Sequence, residues 1–142
     1  MKAASGLALA LALSAAPAIA AAPVDGVWQT PNAKVRMGPC PTRRDWLCGV
    51  VTGMREPLDA AGQPKRDIHN PDPALRARPL IGITLLWDLH PAGEGRWEGG
   101  KIYDPRSGKA IDARARLTDD GALKVEACFA AFCGGQTWRR ED

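Results

Sequence analysis

The side chains able to do chemistry in this chain are few. They are four cysteines, two histidines, one serine after residue 20, and a set of acids and arginines between residues 67 and 104. Cys40, Cys48, Cys128 and Cys133 form an even set with no two-residue zinc-knuckle spacing, so disulfides are expected over a zinc site. Three connectivities are open. Proximity favours Cys40–Cys48 and Cys128–Cys133, each closing a short loop worth about 2–3 kcal/mol in the loop-entropy picture. Oxidised cysteines offer no thiolate. Ser107 sits in a Pro-x-Ser-Gly turn rather than a strand-to-helix elbow, so it lacks the setting of an activated nucleophile. His69 and His90 lack the i, i+4 spacing of a helical metal pair and read as loop residues.

The acids and arginines carry more. Asp67, Asp72 and Asp104 flank one long loop and the exit of a strand; folded together, they would make an acid–base pair or a cation site. The competing reading gives each a local task, with Asp72 capping a helix, Asp104 shaping a turn, and Asp67 paired to Arg76 or Arg78. Arg76 and Arg78 can clamp a carboxylate or phosphate by bidentate bonds, or fasten the loop through acids and carbonyls. With Asn70 and Tyr103 nearby, the candidate ligand set is Asn70, Asp72, Arg76, Arg78 and Tyr103. The tryptophans Trp28, Trp46, Trp87, Trp97 and Trp138 either line an apolar cavity or plug a core. Nothing in the sequence implies a cofactor, a metal or a catalytic group.

These residues are positioned by short β-type runs separated by turn chemistry. Strands are expected at 25–30, 34–37, 46–51, 80–87, 96–103, 111–117, 123–127 and 135–139. The alternation of Ile111, Ala113, Ala115 and Leu117 with Asp112, Arg114 and Arg116 is that of a half-buried strand. Gly99-Gly100 inside the fifth run signals a bulge or bend. The Cys40–Cys48 bridge would straddle a hairpin turn and pin its register. Short connections force antiparallel neighbours, and about eight such strands hide their edges by closing into an up-and-down barrel, a two-sheet sandwich being the alternative. The exception is residues 55–79, a long linker in which Asp72 reads as a helix N-cap and Pro73 as the first helical residue. A short helix over the barrel mouth is expected there.

Residues 1–20 read as a signal peptide. Lys2 is its positive start, Leu7 to Leu13 its apolar stretch, and Ala18-Ile19-Ala20 the small-x-small site, with cleavage after Ala20. Residues 21–142 then form one domain, periplasmic or secreted, without a transmembrane segment. The whole chain carries 19 Lys+Arg against 16 Asp+Glu; losing Lys2 leaves a net charge of +2 over 122 residues. That balance, with bases and acids interspersed, argues against nucleic acid or an acidic membrane as partner.

Several blocks resemble one bacterial family. They are Asp67-Ile68-His69-Asn70-Pro71-Asp72-Pro73, Leu75-Arg76-Ala77-Arg78-Pro79-Leu80 and Gly100-Lys101-Ile102-Tyr103-Asp104-Pro105. Gly26-Val27-Trp28, Leu47-Cys48-Gly49 and Thr137-Trp138-Arg139 add to them. Together they are similar to the exported domain-of-unknown-function family 2147 over essentially the whole mature chain. The resemblance implies a lipocalin-like barrel and small-ligand binding, but no reaction. In lipocalins a Gly-x-Trp on the first strand packs beneath an arginine near the last. Gly26 and Trp28, with Trp138 and Arg139 or Arg140 at the far end, are expected to reproduce that closure, a cation–π contact of about 1 kcal/mol. The lipocalin C-terminal helix has no counterpart before Asp142. The expected function is a non-catalytic barrel for one small amphipathic or apolar ligand. The alternatives are an envelope structural or interaction protein with a filled core, and a hydrolase using Asp67 or Asp72.

Overall fold

The computed structural model describes residues 24–142, together with residues 12, 14 and 15. The expected leader and its cleavage point lie otherwise outside the described residues. The alternating runs form eight strands: β1 (Gly26–Gln29), β2 (Ala33–Pro39), β3 (Leu47–Met54), β4 (Thr84–Pro91), β5 (Arg96–Asp104), β6 (Lys109–Leu117), β7 (Leu123–Phe129) and β8 (Phe132–Arg140). Each pairs antiparallel with the next, and β8 returns to β1, closing the barrel. The up-and-down barrel is therefore the architecture, not the sandwich. Among the described residues no helix is long and apolar enough to cross a membrane.

Period-two alternation decides which side chains fill the interior. Val35, Met37, Leu47, Leu86, Leu89, Ala113, Ala115, Leu123 and Val125 build one buried cluster around Trp28 and Trp138. Both tryptophans are almost wholly buried, and the Trp28 indole N–H donates to the Val24 carbonyl at 2.8 Å. The bulge expected at Gly99-Gly100 is present, as a register shift between Trp97 and Gly100 against β6. Both disulfides join the expected partners, Cys40–Cys48 and Cys128–Cys133.

Some expectations change. The run 80–87 is displaced, since its strand starts at Thr84 and continues through His90 to Pro91. Leu80 to Ile83 instead make a turn, with the Ile83 amide donating to the Leu80 carbonyl at 3.3 Å and the Leu80 amide to Lys65 at 2.9 Å. Apolar character marked these residues as buried, and Leu80 and Ile83 are buried, but in a second cluster with Val51 and Tyr103 rather than in a ladder. The short helix exists as one 3-10 turn, Pro73–Leu75, with Asp72 as its cap and no buried residue. It therefore plugs nothing.

The barrel is uneven. β8 has nine residues, but β1 has four and meets β8 only at Trp28↔Arg140 and Gln29↔Arg139. Among the described residues, β8 is paired on its β7 side alone from Phe132 to Thr137. Over that stretch the β1–β8 ladder has a gap.

Candidate functional site

Two places merit a chemical reading. The first is the Asp67 network in the segment between β3 and β4. Tyr103 lies opposite Ala110, one residue from the Leu86–Ile102–Ile111 row of the interior, so its ring is on the outer face of β5. The β3–β4 segment packs against that face. The Asp67 side chain is fully buried. Its Oδ1 accepts from the Tyr103 hydroxyl at 2.6 Å. Its Oδ2 accepts from Asn70 Nδ2 at 2.8 Å and from Arg78 Nε at 2.9 Å, with Arg78 Nη2 also at 2.9 Å. Asn70 Oδ1 in turn accepts from the Asp72 amide at 2.9 Å, and the Asn70 carbonyl from Arg76 Nε at 2.8 Å. Asp72 Oδ1 accepts from the Ala74 amide at 2.9 Å. The segment also crosses the β5–β6 turn, where a Cβ on Gly108 would lie 1.9 Å from the His69 carbonyl oxygen.

The structure thus gathers Asn70, Asp72, Arg76, Arg78 and Tyr103 into one connected assembly, but around an acid and a backbone that already engage their polar groups. Burial alone pushes the Asp67 carboxyl up; the bonds from Tyr103, Asn70 and Arg78 outweigh it and hold the carboxyl below its ordinary value. Burial and the adjacent Asp67 charge push the Tyr103 phenol up to about 12. A shielded carboxylate with a lowered pKa is a poor proton donor, and Asp72 is taken up by its cap. Asp104 likewise shapes its turn: its Oδ1 accepts from the Arg106 amide at 3.0 Å, and its carbonyl accepts from the Gly108 amide at 2.8 Å.

The second place is the inner face beside the gap. The pairs Leu123↔Trp138, Val125↔Gln136, Ala127↔Gly134 and Phe129↔Phe132 place these side chains alternately with the outward Cys128–Cys133 bridge. Leu123 and Trp138 are buried, whereas Gly134 and Gln136 are exposed, and Phe129 and Phe132 are each 82% exposed. A Cβ built on Gly134 meets nothing within 4 Å. Inward positions of a filled barrel are buried; these are not. An accessible apolar surface therefore rises from the Trp28–Trp138 floor, with Gln136 Oε1 accepting from the Trp138 indole N–H at 3.1 Å. Sequence reasoning missed Phe129 and Phe132. Their signal was parity: both fall on the face that Leu123 and Trp138 define.

At the opposite end, Arg140 closes the barrel. Its guanidinium lies 4.5 Å from the centre of the Trp28 ring, and its Nη1 donates to the Asp25 carbonyl at 2.7 Å. Gly26 leaves the room, because a Cβ there would sit 2.7 Å from Arg140 Nη1. Arg139, the other candidate for this contact, binds Asp120 at 2.8 Å instead.

A closed eight-stranded antiparallel barrel with a tryptophan floor and an arginine clasp defines the lipocalin-like class. The chain belongs to domain-of-unknown-function family 2147, described as an uncharacterized protein conserved in bacteria, whose model matches residues 26–140. Among solved structures it is similar to protein HP1028 from the human pathogen Helicobacter pylori, which belongs to the lipocalin family. The TM-score is 0.72 at 23% identity, covering 84% of this chain and 83% of that one. No curated protein matches the chain.

Proposed function

We propose that this chain is an exported, non-catalytic binding module that takes one small elongated apolar or amphipathic molecule against the inner face of β6–β8. The observation that carries this reading is the solvent exposure of inward positions Phe129, Phe132, Gly134 and Gln136 above a closed tryptophan floor. Apolar walls with few polar groups suit a ligand whose chain is buried and whose head remains in water. Gln136 supplies a polar contact at the floor. Asn70, Asp72, Arg76, Arg78 and Tyr103 are then supports, holding the β3–β4 segment on β5. Export agrees with two disulfides, which persist in oxidising compartments.

The filled half of the barrel favours a second reading, a structural or interaction protein of the cell envelope. Titration with dodecanoate and hexadecanoate, followed by native mass spectrometry and thermal shift, separates the two. Binding is expected at one molecule per chain, and Gly134→Trp is expected to abolish it without lowering the melting temperature, because the site has room for a side chain. Failure of both probes and of a periplasmic lipid extract to bind would leave the structural reading standing.

A further inference from the structure

We propose a second binding site, on the outer face of β5–β7, for the dianionic head of a phosphate monoester. Trp97 and Ala115 face inward, so Arg96, Glu98, Arg114, Arg116, Lys124 and Glu126 alternate outward. Arg96 stands directly opposite Arg116, and Arg116 directly opposite Lys124. Directly opposed side chains have Cβ atoms only about 4.5–5.5 Å apart, and like charges in that relation are destabilising. The neighbouring row shows the ordinary solution: Arg114 faces Glu126 and donates to it at 2.7 Å. The Arg114–Glu126 row on β6 and β7 is thus charge-matched, and the Arg96–Arg116–Lys124 row is cationic throughout.

The cationic row is not neutralised from within. Arg116 has no acidic partner among the described residues. Arg96 uses Nη2 on the Ala92 carbonyl at 3.0 Å, and Lys124 Nζ lies 3.5 Å from Glu126, which Arg114 already holds. Glu98 is the one further carboxylate at the rim. These six side chains surround an open concavity of about 340 Å³ on that face. Four cations against two carboxylates leave the concavity a net charge of +2, the complement of one phosphate monoester dianion. Two guanidiniums can each present paired N–H donors to phosphate oxygens, and the ammonium adds a point charge. One concavity of net charge +2, on a chain of 19 Lys+Arg against 16 Asp+Glu, suits a single head group rather than a polyanion.

A free phosphate metabolite and a phospholipid head share this chemistry. Calorimetry of the intact mature chain with glycerol 3-phosphate, beside co-sedimentation with phosphatidic acid and phosphatidylcholine vesicles, distinguishes them. Saturable binding of glycerol 3-phosphate assigns a free ester; capture by phosphatidic acid vesicles alone assigns a lipid head. Arg116→Gln is expected to weaken either at least about tenfold, as loss of a charge-assisted bond should, and Glu98→Gln to strengthen it. Without ligand, Arg116→Gln is expected to melt no lower than the parent, since it relieves repulsion; Arg36→Gln, on β2, serves as the neutral control. The assignment is overturned if neither probe binds, or if binding is unchanged by Arg116→Gln or lost equally with Arg36→Gln. It is independent of the inner-face reading, because Gly134→Trp leaves this surface untouched.

Discussion

Asp67 shows how one side chain can look catalytic and act as a fastener. Four bonds from three residues converge on its two oxygens, all from groups that favour the ionised form. Because its folded pKa lies below the ordinary carboxylate value, the stability it contributes is present at neutral pH and above the unfolded pKa. That stability is lost as pH falls through the lower folded value. For Tyr103 the sign reverses: a phenol raised to about 12 contributes fully below its ordinary value of 10.0 and loses that contribution between there and 12. Tyr103→Phe is therefore expected to cost about 1.5–3 kcal/mol at neutral pH, the worth of a bond to a charged group. Urea midpoints should show the gap between Tyr103→Phe and the parent narrowing below the carboxylate range; an unchanged gap at low pH refutes the ionised-acceptor picture. In the sequence, Asp67 was readable as a partner of Arg76 or Arg78, and Asp72 as a cap. That Arg78 and not Arg76 reaches the carboxylate, beside Asn70 and Tyr103, depends on which face of β5 the segment covers, and local spacing does not encode that.

At the scale of elements, what could be read from sequence followed the strength of each local signal. Hairpins with tight turns were recognisable because turn residues and two-residue alternation agree, as for β6 and β7. The run 80–87 misled because continuous apolar residues mark burial without direction; Gly82, at φ 104°, takes a turn there. The sequence pattern marks only 135–139 for β8, which begins at Phe132, since exposed Gly134 and Gly135 carry no pattern to read. The disulfides brace two such hairpins in different surroundings. Cys40 and Cys48 are buried, whereas Cys128 and Cys133 staple a hairpin end flanked by exposed phenylalanines. Loop closure alone gives each bridge about 2–3 kcal/mol. Replacing Cys40 and Cys48 by serine adds the desolvation of two buried hydroxyls, about 1–3 kcal/mol apiece if unpaired. The Cys40→Ser/Cys48→Ser chain is thus expected to unfold at lower urea than Cys128→Ser/Cys133→Ser, with hydrogen exchange in the second faster only near Phe129–Phe132. Equal midpoints would mean that the two bridges differ in sequence position but not in environment.

For the whole molecule, closure is concentrated at one end. β1 stops at Gln29 because the Thr30 hydroxyl accepts from the Ala33 amide at 2.9 Å and turns the chain at once into β2. On its β1 side the long β8 therefore has a partner only near its own C-terminal end. There Arg140 covers Trp28, the Glu141 amide donates to the Val27 carbonyl at 2.9 Å, and Glu141 pairs with Lys34. A barrel fastened at one end and parted at the other can keep a rigid floor while leaving its inner wall accessible, which a uniformly laddered cylinder with the same core cannot do. Arg140→Ala removes a cation–π contact of about 1 kcal/mol and a backbone hydrogen bond of about 1 kcal/mol. It also leaves the Trp28 ring, now wholly buried, open to solvent on one face. The expected result is an earlier urea midpoint together with stronger acrylamide quenching of tryptophan fluorescence. Arg139→Ala removes only an exposed pair with Asp120 and is expected to change neither measurement. If Arg139→Ala matched Arg140→Ala in both, closure would reside in the strand pairing itself, and the gap between β1 and β8 would lose its physical basis.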